Sequence, residues 1–153
     1  MDLADFLTAR LAEDKAAALA ATEGPWAWAA TGEKDNSWAV ALVGDADEEE
    51  KMLSGHVEAG DGIIIDPVCE AINGNLADGA HIARHDPARV LREVEAKRAI
   101  LARCQMVLAA FHDPEGVEWP DVNRRERHHA RRTIEDMASA YRDHEDYDPA
   151  WEA

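Results

Sequence analysis

His81 and His85 stand four residues apart, with Asp86 directly after the second, and no other stretch of this 153-residue chain looks as suited to chemistry. On a continuous helix, side chains at i and i+4 face the same way, so the two imidazoles could share a metal ion. Zinc needs at least three protein ligands, and Asp86 is the nearest third. Asp86 also has a competing use. It precedes Pro87, and an Asp-Pro pair is a strong helix start: the carboxylate accepts from orphaned amides, and proline loses no needed hydrogen bond in the first turn. Capping is the preferred reading of Asp86, and a metal site of His81, His85 and Asp86 is the alternative.

A wider version of the metal reading is a metal-dependent hydrolase of the phosphohydrolase type. In such enzymes a distant histidine, a His-Asp doublet and a later aspartate gather a divalent ion. His56, His85-Asp86 and either Asp136 or Asp143 occur in that order. Against it, His56 lies in glycine-rich sequence and the doublet runs into proline. "RRERHHARR", Arg124 to Arg132, is a basic helical stretch that could grip a phosphate, a nucleotide or an acidic partner; the simpler reading is a complement to acid elsewhere in the chain. On a helix His128 and His129 point to different faces. Cys69 and Cys104 sit in apolar sequence with no adjacent base, and no phosphate-binding glycine loop or nucleophile elbow occurs. No catalytic residue and no cofactor is therefore assigned.

Charge narrows the partners. The formal net charge is −16, from 32 acids and 16 bases. Residues 1–80 hold 17 acids against 4 bases, residues 81–142 hold 10 against 12, and the last eleven add five acids and no base. Such a field disfavours direct binding of nucleic acid or an anionic membrane and favours a basic protein partner. Asp45, Asp47, Glu48, Glu49 and Glu50 are the densest run and the expected contact. The N-terminus carries acid where a signal peptide needs positive charge, and no run of about 18 apolar residues occurs. With two cysteines in no paired spacing, a cytoplasmic location is expected.

The elements that must position these residues can be read from periodicity. Leu3, Phe6, Leu7 and Leu11 form one helical stripe, and Gly24 and Pro25 stop the helix near Thr22. Trp26 and Trp28, then Trp38, Val40 and Leu42, alternate as two strands of a hairpin; "GIIIDPV" gives another strand, and Ser54 to Glu58 a possible short one. The tryptophans of this sheet read as core filler more readily than as a ring-stacking pocket. Asp78 is the expected cap of a short helix running through His85. Val90, Leu91, Val94, Leu101, Cys104, Leu108 and Phe111 give the long helix after Pro87 a broad apolar face, expected to cover the sheet. A last helix turns Ala130, Ile134, Met137 and Tyr141 inward. The fold class is α+β: an N-terminal helix, a small antiparallel sheet, then two to three helices, as a single domain over 1–142 with an acidic tail over 143–153.

Two stretches also resemble a known group. "ATEGPW" at Ala21 to Trp26 and "HIARHDPARVL" at His81 to Leu91 are similar to signatures of a family of uncharacterised small proteins common in actinobacteria and their phages. The resemblance implies an accessory or mobile-element gene and no catalytic residues. Together with the acidity it leads to an expected function: a non-enzymatic protein-binding accessory protein. Its most concrete form is a DNA mimic that inhibits a nucleic-acid enzyme or repressor, with the acids at 45–50 standing in for phosphates.

Overall fold

The computed structural model describes residues 1–30, 38–44, 57–59, 62–71, 75–110 and 121–152. The described elements are helix α1 (Leu3–Ala20), strands β1 (Trp26–Ala30), β2 (Trp38–Gly44), β3 (Val57–Ala59) and β4 (Gly62–Ala71), then helices α2 (Leu76–Arg84), α3 (Pro87–Ala110) and α4 (Asp121–Ala138), followed by two short 3-10 turns (Ser139–Tyr141 and Pro149–Glu152). The α+β class read from the sequence is the class observed. The chain forms two compact units: a helical unit of Met1–Lys15 with Glu93–Ala153, and a sheet unit of Ala16–Arg92.

The sheet unit is built on antiparallel pairing in the order β1-β2-β4-β3. Trp26, Trp28 and Ala30 stand opposite Leu42, Val40 and Trp38, so the alternation in the sequence puts all three sheet tryptophans on one face. Pro67 lacks an amide for the ladder, and it pairs Ala41 where the register of β2 and β4 shifts, which is where a strand tolerates proline. β3 pairs only with residues 62–64 of β4, closing a short hairpin. A flat four-stranded sheet would hold its edges roughly 14 Å apart. Here β1 and β3 come within 8 Å, so the sheet curls.

The helix lying against β1 and β2 is α2. This corrects the expectation that the long helix would cover the sheet. The approach of α2 to the sheet is close. A Cβ added at Gly79, in the second turn of α2, would meet two ring carbons of Trp38 at 3.1 Å and one of Trp28 at 3.4 Å. Glycine inside a helix costs about 1 kcal/mol relative to alanine, and here it lets the helix backbone rest on the indoles. Trp38 is buried, while Trp26 and Trp28 are half-buried. The cap of α2 differs too. Asn75, not Asp78, begins it, its Oδ1 accepting from the Ala77 amide at 3.1 Å.

In the helical unit Phe6, Leu7 and Leu11 of α1 are fully buried, as their stripe predicts, and Val94, Leu101 and Cys104 of α3 and Ala130, Ile134 and Ala138 of α4 are buried too. Phe6 is the hub. The rings of Tyr141, His144, Tyr147 and Trp151 gather round it, the nearest centroid, that of Trp151, at 5.0 Å. Three of those rings come from the acidic stretch after Arg142, so aromatic packing ties that stretch to α1. Among the described residues of this unit, two charged side chains are buried. Arg10 donates through Nη1 to the His144 ring, 2.7 Å from Nδ1, and through Nη2 to Glu13 at 2.7 Å, with its guanidinium 5.2 Å from the Phe6 ring centroid. Glu135 accepts from Arg131 at 2.8 Å and Arg132 at 3.1 Å. Buried charges persist only when paired in this way.

Candidate functional site

His81, His85 and Asp86 lie at the joint between α2 and α3. The imidazoles are neighbours, their centroids 4.4 Å apart, and both residues are exposed. His85 spends Nδ1 on its own helix, donating to the His81 carbonyl at 2.8 Å. Asp86 does not face them as a third ligand. Its Oδ1 accepts from the Arg89 amide at 2.6 Å, its carbonyl accepts from the Val90 amide at 3.0 Å, and its other carboxylate oxygen would lie 3.3 Å from a Cβ placed on Gly24. This is the geometry of an N-cap, and it bears out the reading of Asp86-Pro87 as a helix start. Arg89 reaches back to the Arg84 carbonyl at 3.2 Å, satisfying the end of α2 while its amide begins α3. Among the described residues no group of three or more His, Cys, Asp or Glu could hold a metal ion. His56 lies outside the described residues.

The same joint accounts for both sequence signatures. The Gly-Pro turn, whose Gly24–Pro25 peptide is cis, comes against Asp86, and the indole of Trp26 donates to the Thr22 carbonyl at 3.0 Å. Each polar group of the His-Asp-Pro-Ala-Arg segment that the geometry assigns is closing a helix end. In this geometry the motif punctuates two helices.

Asp45, Asp47, Glu48, Glu49 and Glu50 fall between β2 and β3 in the chain and lie outside the described residues.

The basic helix brings together residues that sequence reasoning did not. In the helical unit Arg124, Arg127, His128 and Arg131 line a cavity of about 670 Å³ whose other lining includes Leu108, Ile134 and Trp151. Their i, i+3, i+4, i+7 spacing was legible as one helical face; the apolar floor was not, because it comes from distant parts of the chain. His129 lines a separate cavity of about 420 Å³ beside Cys104, so the two histidines do point apart. Arg131 and Arg132 pair with Glu135 of their own helix, while Arg124 and Arg127 have no ion-pair partner among the described residues.

Titrating groups in this unit, Tyr141 and Glu95 among them, are shifted by their surroundings. Burial, reinforced by its hydrogen bond to Asp14 at 2.5 Å, pushes the Tyr141 phenol well above its ordinary value. The Lys15 ammonium, 2.9 Å from Glu95, holds that carboxyl below the usual range.

The fold and these sites define a small α+β protein with a capped helix joint and an arginine-walled cavity. The chain belongs to the family of unknown function DUF6221, which it matches over residues 1–153. No curated protein matches it. No solved structure does either.

Proposed function

We propose that the protein is a non-enzymatic, cytoplasmic binding protein whose acidic surface engages a basic protein partner. The observation that carries this reading is the density of acid in the sheet unit. Five of the six residues from Asp45 to Glu50 are acidic, within a unit that holds 14 acids against 5 bases. A surface of that sign repels phosphates and anionic lipid and steers a basic surface toward it. In the actinobacterial or phage setting that the two signatures suggest, the concrete form is a DNA mimic, the partner being a nucleic-acid enzyme or repressor. The test is affinity capture from host lysate followed by titration of the captured partner. Affinity should fall steeply as salt rises, and should collapse when Asp45, Asp47, Glu48, Glu49 and Glu50 are replaced by their amides. A partner indifferent to both changes sinks the proposal.

The closeness of His81 and His85 supports a second reading, a metal-dependent hydrolase using those residues with Asp86. It requires stoichiometric zinc, manganese or iron in the purified protein that is lost in the His81→Ala/His85→Ala variant. Metal-free wild-type protein that takes up none of these ions sets it aside.

A further inference from the structure

We infer that the helical unit holds a binding site for a small amphiphilic organic anion, an aryl or alkyl carboxylate or phosphate monoester, between the arginine row of α4 and Trp151. Three observations converge on it. The first is charge out of place. In a chain of net charge −16, α4 turns Arg124, Arg127 and Arg131 to one cavity, and the one acid among its described lining residues is Asp2. Asp2 serves the start of α1, its Oδ1 accepting from the Asp5 amide at 2.8 Å. Arg131 is shared with Glu135, but Arg124 and Arg127 have no ion-pair partner among the described residues. Like charges one turn apart destabilise a helix by a few tenths of a kcal/mol each, so helix stability does not account for the row, whereas a bound anion does.

The second observation is spacing. Residues 124 and 127 lie about 4.5 Å apart along the helix axis, within the joint reach of two guanidinium forks around a single carboxylate or phosphate. The third is the floor. Leu108, Ile134 and Trp151 give the cavity an apolar lining beneath the cations, and its volume of about 670 Å³ lies in the range of pockets that hold a small organic ligand. A bare inorganic ion would leave that floor wet. A ligand with a charged head and an apolar body satisfies both halves. The inference does not rest on the proposed acidic contact.

The experiment uses the full chain and 1-anilinonaphthalene-8-sulfonate, an aryl sulfonate with the required chemistry, as a fluorescent probe. The expected result is saturable binding with one-site stoichiometry, displaced by decanoate and by naphthyl phosphate. The more potent of the two displacers identifies whether the site prefers an alkyl carboxylate or an aryl phosphate. Arg124→Gln/Arg127→Gln should weaken binding at least tenfold. Arg125→Gln, a single neutralisation on the same helix outside the cavity lining, should leave it within twofold. Thermal melts of all three proteins should coincide without ligand, so that the probe reports the site and not loosened packing. Unsaturable binding, equal affinity in the double variant, or displacement by inorganic phosphate as effective as by decanoate overturns the inference.

Discussion

The two units of this protein close their cores by opposite means. The sheet unit depends on what is missing: Gly79 has no side chain where α2 meets Trp38, and Gly24 has none where the first turn meets Asp86. The helical unit depends on bulk and on charge that has been paired, with four rings around Phe6 and buried Arg10 and Glu135 each held by neighbouring polar groups. Close approach of backbone to indole tolerates no added volume. An aromatic cluster tolerates no loss of it. The units should therefore fail in opposite directions when their key residues are changed, one to enlargement and the other to truncation.

The most damaging single change should be Phe6→Ala. Phe6 is fully buried, and truncating a buried phenylalanine costs about 3–5 kcal/mol. Urea denaturation measures the loss, and hydrogen exchange locates it: amides over 121–152 should lose more protection than those of β1 and β2. Equal loss in both would mean that the two units unfold as one. The converse experiment is Gly79→Val. It forces methyl groups into ring carbons that a bare Cβ would already meet at 3.1 Å, and overpacking of this kind costs about 1–3 kcal/mol. Protection should now fall first in β1, β2 and α2, and a variant as stable as wild type removes the close-approach account of this helix. Gly79→Ala should sit between, because the gain in helix propensity offsets part of the crowding.

A smaller effect tests the joint. Asp86→Ala should cost about 1 kcal/mol by removing the acceptor for the Arg89 amide, and Asp86→Asn should be close to neutral, because asparagine caps about as well. If the asparagine variant is fully stable yet loses a measured ligand or metal affinity, the carboxylate charge has a role beyond capping.

The smallest effect concerns Tyr141 and depends on pH. Its phenol is raised above the ordinary value of 10.0, so the folded chain holds this proton more tightly than the unfolded chain. The sign follows: the stabilisation is complete below about pH 10 and drains away as pH climbs from there toward the folded-state value. Tyr141→Phe removes the hydrogen bond to Asp14 and should cost about 1 kcal/mol at pH 7. The gap between wild type and variant should narrow in urea titrations repeated up to pH 11. A gap that stays constant assigns the effect to packing alone.

Much of the local structure was legible in the sequence for one reason: the signal was contained within a turn or two of chain. The stripe of Leu3, Phe6, Leu7 and Leu11 fixes the buried face of α1, and alternation fixes which face of the sheet carries Trp26, Trp28 and Trp38. The Asp86-Pro87 cap is a purely local hydrogen bond. Asn75 was missed as a cap for the opposite reason, since the apolar pattern of α2 is too short to mark its first turn and Asp78 offered an equally good acceptor.

By itself, then, the sequence determined the class of fold, the order of elements, the capped joint and the total charge, because each rests on residue type and short spacing. Tertiary structure alone placed α2 against β1 and β2, where the missing Cβ at Gly79 permits the close approach. It alone placed Trp151 and Leu108 with the arginines of α4, and it alone drew the acidic stretch after Arg142 onto Phe6. These contacts join residues up to 145 positions apart, as Phe6 and Trp151 are, and no local periodicity encodes such a meeting. It is selected when the chain finds the arrangement that buries the most apolar surface and leaves the fewest charges unpaired.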